Sequence, residues 1–244
     1  MAAANAAKRA ADRVLFAVLG RRWLSYRARR TWDARADNEV LVATAAYDAT
    51  DWETYWASGR RDLDLMLSVA RGGGTPGRDT ALEIGCGIGR LAIVAADEFD
   101  RVIATDISPH MLEQAAAKAS RPNVRYVLLK SDLELPAPAE SVDMVYAWTV
   151  FRHTSEVVFA GYLDESRRVL KPGGCLAFEA LMRVSGTPFK PSLSNPVSER
   201  EYSRAELETY CQAHGFRWRA EREIPSVTQG TVNLVIAWIK PVGA

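Results

Sequence analysis

The segment Leu82-Glu-Ile-Gly-Cys-Gly-Ile-Gly-Arg90 combines one carboxylate with three alternating glycines behind a short apolar run. Glycines at a strand-to-helix turn let a ligand approach the backbone amides and the positive end of the helix dipole. The loop departs from a dinucleotide fingerprint because Arg90 stands where a GxGxxG pattern needs glycine, and no Gly-Lys-Ser/Thr follows for a nucleotide-phosphate loop. Glu83 places a negative charge where a pyrophosphate would lie, which favours a ligand with a positive charge.

Two further acids follow later strands of the pattern. Asp106 comes about twenty residues after the glycines, where a carboxylate can accept hydrogen bonds from both ribose hydroxyls. Asp132 follows the next strand and is placed to accept from the exocyclic amine of an adenine. With Glu83 they predict a ligand that carries an ammonium, a ribose and an adenine, which describes S-adenosylmethionine.

Structural explanations for the same residues stay open beside this one. The glycines can serve close packing alone, Asp106 can cap the next helix as Ser108 could, and Asp132 can be an ordinary turn aspartate. Asp143 is expected to close the turn before its strand, a structural role.

The elements that position these residues alternate between strand and helix, which is typical of a parallel sheet covered by helices on both faces. After two helices, Lys8–Arg35 and Trp52–Ala70, the second with a break near Ser58-Gly59, the pattern predicts strands and helices in turn. The predicted strands are Thr80–Ile84, Arg101–Thr105, Val124–Leu129, Val142–Trp148, Cys175–Leu181, Phe216–Arg222 and Val232–Ile239, and the predicted helices are Arg90–Glu98, Pro109–Ala119, Val157–Leu170 and Arg204–His214. We therefore expect an α/β fold with a doubly wound, Rossmann-like, seven-stranded and mostly parallel sheet, a C-terminal antiparallel strand pair and a helical N-terminal cap. The glycine-rich connector before residue 78 predicts a cap over 1–77 and a core domain over 78–244.

Five segments in the right order resemble the class I S-adenosylmethionine-dependent methyltransferases of the type 11/25 methyltransferase-domain superfamily. They are Leu82–Arg90, Ala104–Leu112, Ser131–Leu133, Ser141–Tyr146 and Leu170–Gly174. The resemblance covers about Asp79 to Phe178, and it implies that S-adenosylmethionine is the cofactor. It places the methionine part on Glu83 and the loop residues Gly85, Cys86, Gly87 and Gly89, with Trp148 and Thr149 beside it. It places the ribose on Asp106 and the adenine on Asp132. Ile107 and Leu133 are then expected on the two faces of the adenine, with Met111 nearby.

The acceptor side is expected in Trp148-Thr-Val-Phe-Arg-His-Thr154, which follows the fourth strand. His153 is the candidate general base, with loop ordering as the alternative role. Arg152 can pair with an acidic acceptor group, although an exposed arginine is the commoner outcome. Tyr55 and Trp56, with Trp52, can line the pocket or pack in the core, and the proline-containing insert Met182–Tyr202 predicts a loop or lid.

These features predict a methyltransferase acting on a small-molecule acceptor, with oxygen favoured over nitrogen. The alternatives are a cofactor-binding regulatory protein of the same fold, a methyltransferase acting on lipid or protein, and another reaction that uses the same cofactor. A net charge of +1 and the lack of a basic groove with interleaved aromatics argue against a nucleic-acid partner.

The remaining signals concern compartment and the N-terminus. Cys86, Cys175 and Cys211 are widely spaced, which favours neither disulfides nor a metal site and predicts a reducing, cytoplasmic location. From Lys8 to Arg35 the chain has nine Lys/Arg and two Asp at a roughly helical apolar spacing. The favoured interpretation is a helix with its apolar stripe on the main domain and its arginines in solvent; peripheral membrane contact, a basic partner-binding arm and an organellar transit peptide are the alternatives.

Overall fold

The computed structural model describes residues 21–36, 51–72, 77–130, 134–190 and 199–243. In chain order the elements are α1 (Arg21–Ala36), α2 (Trp52–Arg71), β1 (Thr80–Ile84), α3 (Ala92–Ala95), β2 (Arg101–Asp106), α4 (Pro109–Lys118), β3 (Val124–Leu128), β4 (Val142–Ala147), a 3-10 turn (Phe151–His153), α5 (Glu156–Val169), β5 (Leu170–Arg183), α6 (Arg204–Ala213), β6 (Arg217–Pro225) and β7 (Thr231–Ile239). The division between a cap over 1–77 and a core over 78–244 stays a prediction.

One seven-stranded sheet organises the molecule, in the order β3-β2-β1-β4-β5-β7-β6. Neighbouring strands among β1 to β5 are parallel to each other, and β7 is antiparallel to both β5 and β6. This confirms the predicted mostly parallel sheet with a C-terminal antiparallel pair. The strand order reverses between β1 and β4, so the crevice at their carboxyl ends is where an open α/β sheet binds its ligand.

Both faces of the central sheet are covered. Every residue of β1 and β4 is buried, which explains why these strands are nearly continuous apolar runs. One face packs on an aromatic group that includes Phe151, Phe159, Phe178 and Trp238. The other face packs on α2, whose Leu63, Met66 and Leu67 are buried there.

Helix α2 runs without interruption, so the predicted break near Ser58-Gly59 is wrong. A capping box between Asp51 and Thr54 begins the helix. Gly59 lies against the backbone of Arg90, and a Cβ on Gly59 would come within 2.5 Å of the Arg90 carbonyl oxygen. The glycine therefore permits a close approach between α2 and the glycine loop and does not end the helix.

Several predicted boundaries differ from the structure, among them that of β6, which ends at Pro225 and not at Arg222. The helix expected over Arg90–Glu98 is reduced to α3, because Asp97 and Glu98 close i to i−3 turns on Val94 and Ala95 instead of continuing the helix. Strand β5 begins five residues before the predicted Cys175 and extends to Arg183.

The extension of β5 beyond Leu181 has a physical cause. It pairs with β7 from Cys175 to Arg183, so Met182 belongs to the strand and not to the predicted insert. Residues 191–198 of that insert lie outside the described segments, as do residues 1–20 of the basic N-terminus. Among the described helices, none is both long and apolar enough to cross a bilayer.

Candidate cofactor and acceptor site

The glycine loop is open at its centre. Gly85, Gly87 and Gly89 have φ of +72°, +53° and +89°, values that side chains rarely adopt. A Cβ at Gly87 would meet nothing within 4 Å, whereas one at Gly85 would meet Val150. The loop therefore presents its backbone to a free space at the carboxyl end of β1.

Asp106 ends β2 and faces this loop. Its Oδ2 accepts from the backbone N–H of Gly87 at 2.8 Å, and its Oδ1 accepts from that of Ser108 at 2.9 Å. Burial raises the pKa of Asp106, and the backbone N–H donors oppose that shift. Ser108, not Asp106, caps α4 through the N–H of Met111, so capping does not explain Asp106.

Glu83 carries a buried carboxyl group with no ion pair among the described residues. The hydroxyl of Tyr146 donates to its Oε2 at 3.1 Å. Burial raises the pKa of Glu83 to about 8, against smaller opposing effects of the Tyr146 hydrogen bond and the Arg90 charge. A ligand ammonium would supply the cation that this carboxylate lacks.

Trp148 lies directly after β4 on the same face as Tyr146. Its side chain is buried, and within the described part of the chain its indole N–H has no hydrogen-bond partner. A buried donor without an acceptor is costly, so this N–H calls for an oxygen from a bound ligand. The open loop, the acid and this donor together fit the amino-acid part of S-adenosylmethionine.

The adenine side is only partly described. Asp132 and Leu133 lie outside the described residues, so their predicted contacts stay predictions. Ile107 is half-buried at the end of β2. Met111 packs with Tyr55 and Ile88, which places it beside the glycine loop.

Helix α1 crosses this edge of the sheet. Arg29 donates from Nε to the carbonyl of Ile107 and from Nη2 to that of Leu129, both at 2.9 Å. Asp33, one turn later, accepts from the Ser108 hydroxyl at 2.6 Å. The expectation that the arginines of this helix lie in solvent is therefore wrong for Arg29, because its guanidinium satisfies two strand-end carbonyls.

The aromatic residues at the start of α2 pack mainly with each other. Tyr55 makes edge-to-face contacts with Trp52 and Trp56 at 5.4 and 5.3 Å between centroids. Tyr55 is buried and its pKa is raised to about 12 by burial, while the tryptophans are partly buried. Core packing thus accounts for Tyr55, and Trp56 stays a candidate for the pocket wall.

The segment after β4 carries the acceptor-side candidates. Thr149 has a φ of +58°, in the left-handed region. His153 closes the 3-10 turn, and its ring lies edge-on to Trp32 of α1 with 5.3 Å between centroids. Helix α1 therefore reaches from the end of β3 to the candidate base.

Arg152 differs from both of its expected roles. It is only 2% exposed, and its guanidinium bonds Glu179, Asn233 and Glu199. It is therefore neither an exposed arginine nor a cation available to an acidic acceptor. Asp143 is structural, but it lies within β4 and does not close the turn before it: it accepts from the Thr80 N–H and from Lys171, each at 2.8 Å.

Sequence reasoning missed the residues that support the site from a distance. These are Arg29, Asp33, Glu179 and Asp62, the last of which forms a buried ion pair with Arg90 of the glycine loop. Glu179 had a visible signal, because it is a single acid in the otherwise apolar Cys175–Leu181. Arg29, Asp33 and Asp62 gave none, since charged residues on helices usually face solvent.

Comparison with known proteins agrees with this geometry. Residues 81–174 match a family model described as a methyltransferase domain. A probable S-adenosylmethionine-dependent methyltransferase of Mycolicibacterium smegmatis is 35% identical over 140 residues, which cover 57% of this chain and 52% of that protein. A probable thiol methyltransferase 2 of Arabidopsis thaliana is 31% identical over 154 residues, covering 59% of this chain and 68% of that protein. This chain belongs to the S-adenosylmethionine-dependent methyltransferases.

The methyltransferase also shares its fold with solved structures. One is a Burkholderia thailandensis 1,6-didemethyltoxoflavin-N1-methyltransferase with bound substrate and S-adenosylhomocysteine, with a TM-score of 0.60, 20% identity and coverage of 84% of this chain and 87% of that one. The match to the Mycolicibacterium relative spans about half of that protein's length. The cofactor is S-adenosylmethionine, as the acids and the open glycine loop indicated.

Proposed function

We propose that this methyltransferase transfers the methyl group of S-adenosylmethionine to a small-molecule acceptor, at oxygen in preference to nitrogen. The observation that carries the proposal is the position of His153. Its imidazole lies in the segment that follows the carboxyl end of β4. This segment begins at Trp148, whose buried indole N–H has no hydrogen-bond partner among the described residues. Methyl transfer is an in-line displacement, so the protein chiefly aligns the acceptor and excludes water. A hydroxyl acceptor needs a base, and imidazole takes a proton near neutrality.

The residues divide between the two substrates. We assign the ammonium of the cofactor to Glu83, the ribose hydroxyls to Asp106 and the adenine to Asp132 and the flanking Ile107 and Leu133. The bound cofactor supplies the activated methyl group. His153 would hold the acceptor hydroxyl and accept its proton, while Trp32 covers the imidazole from α1.

The names of the relatives differ in the acceptor atom and do not decide it. A malonyl-[acyl-carrier protein] O-methyltransferase of Salmonella typhimurium specifies oxygen, the Arabidopsis thaliana relative a thiol and the Burkholderia thailandensis protein N1. The preference for oxygen therefore rests on His153 alone. A lipid or protein acceptor and a cofactor-binding protein without transfer are the competing proposals. Absence of a nucleic-acid partner, membrane contact through the basic N-terminus and a cytoplasmic location also stay predictions.

The test uses the full chain with methyl-labelled S-adenosylmethionine and four acceptors: catechol, thiophenol, benzimidazole and benzoate. We expect labelled product from catechol. The variant His153→Ala should lower kcat by about 100-fold or more with unchanged cofactor affinity. The matched control is His214→Ala, because His214 pairs with Asp164 at the end of α6.

Three results would contradict parts of the proposal. If benzimidazole were the only acceptor to give labelled product, the acceptor atom would be nitrogen and not oxygen. Cofactor binding without S-adenosylhomocysteine formation, across these and vesicle or protein acceptors, would favour the binding protein. If His153→Ala left kcat and its pH profile unchanged, His153 would not be the general base.

A further inference from the structure

A buried carboxylate beneath the acceptor segment has no part in the proposed chemistry. Glu179 lies in the middle of β5 and has no exposed surface. The guanidinium of Arg152 donates to both of its oxygens, from Nε at 3.3 Å and from Nη2 at closer range. Two charges removed from water in this way must be held in a fixed mutual geometry to be tolerated.

Burial raises the pKa of Glu179, and the charge of Arg152 and the nearby backbone N–H of Thr149 oppose that shift. Thr149 has a φ of +58°, a conformation that a β-branched residue keeps only when its surroundings impose it. Glu179 thus bonds the side chain of Arg152, the residue directly before His153. It lies beneath the segment that leads to His153.

Further contacts fix the far side of this segment. Arg152 Nη2 donates to Asn233 Oδ1 at 2.8 Å, which ties it to β7. The carbonyl of Arg152 accepts from the N–H of Arg200 at 2.6 Å, and that of Phe151 accepts from the Tyr202 hydroxyl at 3.0 Å. The segment therefore rests on β5, β7 and residues 200–202, with Glu179 at the centre.

We propose that Glu179 is a positioning residue for methyl transfer, acting through Arg152 to fix the place of His153. The inference rests on the proposed function only in taking His153 to face the acceptor. A carboxylate is needed here because its two oxygens accept from Nε and Nη2 of Arg152 and because it balances the Arg152 charge. Glutamine at this position keeps the shape but offers a single acceptor oxygen and no charge.

The test is a spectroscopic measurement on the full chain that needs no acceptor. The protein has three histidines, so selective ¹³Cε1 labelling gives three resonances, and His153→Ala identifies the one of interest. With saturating S-adenosylmethionine, Glu179→Gln should move or split the His153 resonance and shift its titration midpoint. The resonances of His110 and His214, and the cofactor Kd, should stay as in the unmodified protein.

The control variant separates positioning from stability. Asp143→Asn removes buried bonds to Thr80 and Lys171 at the opposite edge of the sheet, so it should lower stability and leave the His153 resonance in place. If Glu179→Gln does not fold, the double variant Glu179→Gln with Arg152→Met removes both buried charges and should show the same displaced resonance.

An unchanged His153 resonance and titration in a folded Glu179 variant would overturn the positioning role. That outcome is distinct from failure of the proposed function. If His153→Ala retains full turnover, the base assignment fails, whereas a displaced His153 resonance in Glu179→Gln would still establish that Glu179 positions the segment.

Discussion

Arg90 and Asp62 form a buried ion pair that joins the glycine loop to helix α2, with Nη1 and Oδ2 2.6 Å apart. Nη1 also donates to the Ser58 hydroxyl at 2.8 Å, and the guanidinium lies 5.6 Å from the Tyr55 ring centroid. Arg90, the residue that excludes a dinucleotide fingerprint, therefore has a structural role, because it attaches helix α2 to the glycine loop. Its carbonyl contacts Gly59 in the same interface.

Removing one partner of this pair should be strongly destabilising. Asp62→Asn leaves the Arg90 charge buried and without its counter-ion, so we expect the free energy of unfolding to fall by about 3–5 kcal/mol. Chemical denaturation measures this change. The control is Asp64→Asn, because Asp64 forms an exposed pair with Arg60 and should lose less than about 1 kcal/mol. Equal losses in the two variants would refute the structural importance of the buried pair.

Asp106 should determine cofactor affinity. Asp106→Asn weakens the bonds to the Gly87 and Ser108 amides and removes the anionic acceptor for ribose hydroxyls. We expect the Kd for S-adenosylhomocysteine to rise about 10- to 100-fold, the equivalent of a charged hydrogen bond. Calorimetry with the free product is the measurement, and Asp100→Asn at the exposed amino end of β2 is the control. Unaltered affinity in Asp106→Asn would rule out the ribose role.

Cofactor binding should depend on pH through Glu83. Burial raises its pKa to about 8, so the group is largely protonated at pH 6 in the free protein. Since the ligand ammonium favours the carboxylate, binding releases a proton below pH 8, and affinity should rise by up to about tenfold per pH unit between pH 6 and 8.

Above this range the rise should end, because Glu83 is then ionised and the amino group of the cofactor begins to lose its own proton near pH ~8. Calorimetry in buffers of different ionisation enthalpy counts the released proton. Glu83→Gln should bind weakly with no rise over this window, and a rise that persists in this variant would assign the effect to another group.

The docking of α1 should depend on Arg29. Arg29→Ala removes both bonds to the carbonyls of Ile107 and Leu129, so docking should weaken by about 1–3 kcal/mol. Hydrogen exchange of residues 21–36 should accelerate accordingly. Arg30→Ala is the matched control, because Arg30 contacts Tyr26 of the same helix, and its exchange should stay near that of the unmodified chain. Equal protection in both variants would contradict the role of Arg29.

Local chemistry explains why much of the site was predictable. In a parallel sheet the carboxyl ends of neighbouring strands meet at one edge, so Glu83, the glycines and Asp106 could be brought together from their positions after successive strands. Helix bounds at α4 and α6 were also close, because Ser108 and Ser203 cap them with local side-chain bonds. The C-terminal end of β5 was not predictable, since it depends on pairing with β7 more than forty residues later.

The sequence by itself determined the fold class and the cofactor, and it singled out the acids proposed to bind that cofactor, because each follows from residues adjacent to a strand end. Only the tertiary structure decided that Gly59 is a contact and not a break, and that Arg152 is bound by Glu179. It also placed Arg29 on carbonyls 78 and 100 residues away. Burial and partners of a charged side chain are set by packing between distant segments, and no local pattern records them.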